Sequence, residues 1–157
     1  MSDHKRRGFL RSAAGASALG LAWATGMLAS ARAWAAWPKA AFEAKEVKEM
    51  MAALFAGGAP EPSAAVSITM PQIAENGGQV PVVVQADLPK VDSITVIAEG
   101  NPRPLVVTAT YGPRAMPTLS TRMKLAKTMK ITAVVRSDGK LYSAQRSVEV
   151  SVGGCGG

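Results

Sequence analysis

ITAVVRSDGKLYSAQRSVEVSV, residues 131–152, carries the pattern that decides the fold. Asp138-Gly139 reads as a two-residue hairpin loop, because both central positions of the favoured turn need positive φ, which Gly and Asp tolerate best. The loop joins an apolar run, Ile131–Arg136, to a longer alternating one, Leu141–Val152. Tyr142, Ala144, Val148, Val150 and Val152 share one face, while Ser143, Gln145, Ser147, Glu149 and Ser151 take the other. Arg146 falls on the apolar face and is expected at its rim.

Upstream the same texture repeats in short β-rich runs broken by turn residues. Strands are expected near Ala65–Met70, Val80–Ala86, Ser93–Glu99, Leu105–Thr110 and Leu119–Ala126, with turns at Asn76-Gly77-Gly78 and Pro102-Arg103-Pro104. About seven strands at short intervals, with no helix between them, predict a mainly β fold: an immunoglobulin-like antiparallel β-sandwich over residues 61–152. One helix should precede it within residues 36–60, running from Pro38 to Phe55. Val47, Met50, Met51, Leu54 and Phe55 form a single apolar stripe at helical spacing, and Gly57-Gly58 ends it. That stripe packs either on the domain's own sheet or on a partner. The loop Tyr111–Pro117, with Met116 exposed by its pattern, is either an ordinary turn or a second candidate contact for a partner.

Composition narrows the function classes. The 157 residues are 48% hydrophobic, which suits a folded core, and hold one Cys and one His. A single Cys excludes an internal disulfide framework, a cysteine-rich metal site and an iron–sulfur cluster. The net charge of +7 is unevenly placed. Five basic residues against Asp3 alone lie in the first 35 positions, leaving 13 basic and 10 acidic groups on the other 122. So mild an excess gives no concentrated phosphate-binding face, and nucleic acid is not an expected ligand.

The basic start of the chain reads as an address. Arg6-Arg7, followed by Phe9-Leu10 and an uncharged run from Ser12 to Ala31, resembles a twin-arginine (Tat) export signal over residues 1–35, although Lys5 stands where Ser or Thr is usual. Ala33-Trp34-Ala35 offers a small-x-small cleavage site, with Ala29-Ser30-Ala31 and Ala31-Arg32-Ala33 as alternatives. A cleaved signal implies a periplasmic protein with no stable membrane anchor. His4, the sole histidine, lies within it, so the mature chain lacks the usual general base and the commonest metal ligand. The Tat route carries folded proteins. With no cofactor motif in view, a partner subunit that folds and travels with this chain is the expected reason for it.

Residues 153–157 are Gly153-Gly154-Cys155-Gly156-Gly157. Glycines order at high entropic cost and bury no side chain, so a mobile arm is expected, with the thiol at its end. No basic neighbour activates Cys155, which makes it a handle for other proteins rather than an independent nucleophile. An interchain disulfide joining an exported structural subunit is the alternative use of such a thiol.

This terminus, the Tat-like leader and the stretches Ile73-Ala74-Glu75-Asn76-Gly77 and Met116-Pro117-Thr118-Leu119-Ser120-Thr121-Arg122 together resemble the SoxY family, across essentially the whole chain. That resemblance implies a non-catalytic sulfur carrier of periplasmic thiosulfate oxidation, with sulfur attached at Cys155 and no cofactor of its own. It also implies a heterodimer with a SoxZ-like subunit. Transient partners would be a SoxXA-like c-type cytochrome, a SoxB-like manganese hydrolase and, where present, a SoxCD-like sulfane dehydrogenase.

Overall fold

A computed structural model describes residues 38–151. The hairpin is where the sequence puts it. Strand β8 (Met129–Ser137) turns at Asp138 and Gly139 into β9 (Lys140–Val150), with Ser137 opposite Lys140. Both turn residues have positive φ, 49° and 77°, as a primed two-residue loop requires.

Among the described residues there are nine strands, and seven of them are the expected ones, with ends shifted by a few residues. They are β2 (Val66–Thr69), β4 (Val80–Ala86), β5 (Val91–Ala98), β6 (Leu105–Thr110), β7 (Thr118–Met123), β8 and β9. The two others, β1 (Glu61–Pro62) and β3 (Ile73–Ala74), have two residues each and lie along β9 in parallel. One sheet runs β1-β9-β8-β5-β6, with β3 also on β9; the other runs β2-β4-β7. All pairs except those of β1 and β3 are antiparallel, giving the immunoglobulin-like sandwich.

The space between the sheets is filled by Val, Ile, Met, Leu and Ala, among them Val82, Val84, Ile94, Val96, Ile131, Ala133, Val135 and Val148. The outer face of the larger sheet is covered too. Ile97, Leu105 and Val134 pack there against Ala41, Ala44, Met50 and Phe55. This double coverage explains why β8 is buried without a break from Ile131 to Val135. The stripe of Val47, Met50, Met51, Leu54 and Phe55 therefore belongs to the domain's own core rather than to a partner.

The single helix expected from Pro38 to Phe55 is two: α1 (Lys39–Glu43) and α2 (Val47–Phe55). The chain leaves helical geometry at Ala44, whose ψ is 136°, and Glu46 is extended. The break brings Ala41 and Ala44 down onto the sheet, both buried. Helix α2 ends on Ala56 in the left-handed region (φ 51°), followed by Gly57 at φ 77°. In β9, Arg146 is exposed, opposite Ile131. Ser143 departs from its polar, solvent-facing assignment and is buried, because β1 and the helices close over that end of the strand.

Candidate functional site

Cys155 follows the last strand closely, so the end of β9 positions whatever the tail does. That end is held from both sides. On one edge the amide of Glu149 donates to the Gln72 carbonyl at 2.8 Å, and that of Ser151 to the Ala74 carbonyl at 3.1 Å. On the other edge the amide of Val150 donates to Thr128 Oγ1 at 3.0 Å. Alternate amides of an extended strand point to opposite edges, so these three bonds fix the backbone up to Ser151.

The clamp rests on Gly77. A methyl group there would stand 2.6 Å from the Leu125 carbonyl oxygen and 2.9 Å from Val150 Cγ1, closer than any side chain tolerates. The absent Cβ lets Leu125 donate its amide to the Gly77 carbonyl at 2.7 Å. Asn76 shapes the approach, with its Oδ1 accepting from the Gly78 amide at 2.8 Å. Across the same end, Asn101 Nδ2 donates to the Lys124 carbonyl at 2.8 Å, and Asn101 Oδ1 accepts from the Ala126 amide at 3.2 Å. Three loops, 75–79, 99–104 and 124–128, thus gather around the strand end from which the tail departs.

The family model for sulfur oxidation protein SoxY matches residues 51–155, ending on Cys155. The chain belongs to the SoxY family. A solved structure of the sulfur carrier protein SoxY from Chlorobium limicola f thiosulfatophilum is 39% identical, with a TM-score of 0.62. The match covers 68% of this chain and 97% of that one. A superoxide reductase (neelaredoxin) from Ignicoccus hospitalis is 18% identical with a TM-score of 0.50, over 55% of this chain and 80% of that one. This second likeness concerns the fold alone. No curated protein matches the chain.

Within this SoxY-family fold the two quoted stretches acquire structural meaning. Ile73–Gly77 forms β3 and the turn that grips β9, and Met116–Arg122 leads into and forms β7, at the edge of the smaller sheet. Cys155, with Gly153, Gly154, Gly156 and Gly157, lies outside the described residues, as do Arg6, Arg7, Phe9 and Leu10 of the export signal. Sequence reasoning missed Thr128 and Asn101, whose roles depend on partners at least 22 residues away. For Gly77 the turn was legible but the close approach to Leu125 was not.

Two shallow depressions lie away from the tail. One of about 340 Å³ is lined by Phe55, Gly58, Arg136 and Leu141, near the Asp138-Gly139 hairpin. Another of about 350 Å³ involves Ala65, Asp87 and Pro117, with Met116 on its wall, 83% exposed. Neither approaches the strand end. Among the described residues no three His, Cys, Asp or Glu side chains converge as a metal site requires.

Proposed function

We propose that this chain is a covalent sulfur carrier in thiosulfate oxidation, and that sulfur is attached at Cys155. The observation that carries this reading is the family match, which runs on through the glycine-rich tail to the chain's one cysteine. The relative from Chlorobium limicola, itself a sulfur carrier protein, supports it. The clamp on Glu149, Val150 and Ser151 supplies a firm base for a tail that hands its terminal thiol to other proteins.

The chemistry closes with the redox and hydrolytic centres placed on partners. Thiol and thiosulfate couple with loss of two electrons and one proton to give a Cys155 thiosulfonate, the electrons passing to a SoxXA-like c-type cytochrome. Water then cleaves the terminal S–S bond at a SoxB-like hydrolase, releasing sulfate and a proton and leaving a persulfide on Cys155. Where a SoxCD-like enzyme is present it oxidises that sulfane for a second hydrolysis. The carrier contributes a sulfur atom that accepts reversible caps. Gly153, Gly154, Gly156 and Gly157 leave the backbone free of side chains, so that a narrow channel can admit it. The twin-arginine leader, periplasmic location and a SoxZ-like subunit complete the proposal.

Intact mass spectrometry of the protein from thiosulfate-oxidising cells tests it. Additions of sulfur, sulfonate or thiosulfonate on the C-terminal peptide, removed by reductant and lost in Cys155→Ser, are expected. A bare thiol, or a disulfide-linked dimer alone, would overturn the carrier reading in favour of a structural subunit.

A further inference from the structure

The described residues carry a small net positive charge that is gathered in one place. The two helices and the break between them balance three Lys against three Glu, and the hairpin end pairs Lys90 with Asp138 at 3.6 Å. The stretch Arg122 to Lys130, by contrast, holds Arg122, Lys124, Lys127 and Lys130 with no acidic residue of its own, and Glu75, Glu99 and Glu149 at the same end offset only part of that charge. All four are exposed, and among the described residues none of them forms a salt bridge. Arg103, in the loop tied to this stretch through Asn101, is exposed as well.

This basic stretch sits at the base of the tail. Thr128, between Lys127 and Lys130, accepts the Val150 amide, and Leu125 is bonded to Gly77 beneath it. Cys155 lies four residues beyond Ser151, so its Cα can stand at most about 14 Å away. An enzyme whose reacting group meets the Cys155 sulfur must therefore bring the mouth of its channel against this surface. The adduct it receives is anionic, so the channel floor must be cationic. The floor lies farther from the lysines than the Debye length of about 8 Å and is screened from them, whereas the rim meets them directly, so it is the rim whose charge must complement theirs.

Resting on the carrier reading above, we propose that the Arg122–Lys130 stretch is the docking surface for the enzymes that act on Cys155, and that they meet it with an acidic rim. Exposed charges of this kind act chiefly on the rate and orientation of encounter. They suit a carrier that must visit several enzymes in turn and leave each.

The test uses the protein with its native partner subunit, loaded with thiosulfate on Cys155 and presented to the hydrolase that releases sulfate. For the wild type, kcat/KM should fall as ionic strength rises. Lys124→Glu/Lys127→Glu/Lys130→Glu should lower kcat/KM about tenfold or more at low salt, flatten or invert the salt dependence, and leave kcat unchanged. Arg114→Glu/Lys140→Glu, on a loop and on the first residue of β9 at the other end of the sandwich, should behave as wild type. Equal kcat/KM for the triple variant and wild type would overturn the proposal. So would loss of the partner subunit from the triple variant, which would make this surface the subunit interface. A failure of the carrier reading looks different: sulfur would still load onto Cys155→Ser.

Discussion

Arg136 reaches back 82 residues to donate from Nη2 to the carbonyl of Leu54 at 3.0 Å. The same guanidinium lies over the ring of Phe55, 5.2 Å from its centroid. One side chain of β8 thus satisfies a carbonyl in the last turn of α2 and covers the aromatic residue that ends it. Helix C-termini leave four carbonyls without intrahelical partners, and a cation there also complements the helix dipole.

Arg136→Ala should therefore lower stability by about 2 kcal/mol, combining a charge-assisted hydrogen bond with a partly exposed cation–π contact. Thermal unfolding should show a drop of several degrees. Arg136→Lys, which keeps the charge but loses the planar fork, should fall between the two. An unchanged midpoint for Arg136→Ala would mean that the helix is held by its apolar face alone.

Ala56 closes α2 in the left-handed region, where an L side chain is strained and glycine is not. Ala56→Gly should raise stability by up to about 1 kcal/mol, the relief of strain being offset in part by the greater freedom of the unfolded chain. Denaturant midpoints compared at equal slope would measure it. A decrease would show that Ala56 contributes packing which its exposure does not suggest.

The hairpin was legible because Asp138-Gly139 names its own turn. Cys155 was singled out from the sequence because a lone cysteine framed by glycines has no use in a folded core, and it lies outside the described residues. The break between α1 and α2 was not legible. No Gly or Pro marks Ala44–Glu46, and the chain bends there because burying Ala41 and Ala44 on the outer sheet face outweighs helical continuity. Strands β1 and β3 were hidden for another reason. Each adds backbone hydrogen bonds to β9 over only two residues, too few for any side-chain alternation to register. The clamp around Ser151 was likewise invisible, since Thr128 and Gln72 meet β9 only after both sheets have formed.

Tyr111 ties the loop before β7 to that strand, its hydroxyl donating to the Thr118 carbonyl at 3.0 Å. Burial raises its pKa above the usual 10.0. The folded state therefore holds this proton more tightly than the unfolded chain does. The associated stability is complete below pH 10 and is lost as pH climbs through the raised value. Tyr111→Phe should cost about 1 kcal/mol at neutral pH through the missing hydrogen bond, and should unfold with a shallower pH dependence above pH 10. Parallel alkaline profiles for the two proteins would contradict the assignment.

Gly77 offers the sharpest link between fold and tail. A methyl group there would overlap the Leu125 carbonyl and Val150 together, and the nearer of these is backbone, which cannot swing aside. Gly77→Ala should destabilise the domain by roughly 2–3 kcal/mol, at the upper end for an overpacked site. The damage should be local as well as global, because β3, the turn after it and the end of β9 are held as one clamp. Amide exchange at Val150 and Ser151 should quicken far more than at Ile94 or Val135 in the sandwich core. On the proposal that Cys155 carries the sulfur, loading should persist, since the thiol is untouched. Hand-over to the hydrolase should slow, because a frayed strand end lengthens the tether and blurs where the thiol is presented. If exchange at Val150 and Ser151 stays slow while the midpoint falls, the strain has been taken up by the 124–128 loop, and the strand end is held by Thr128 and Ala74 without help from Gly77.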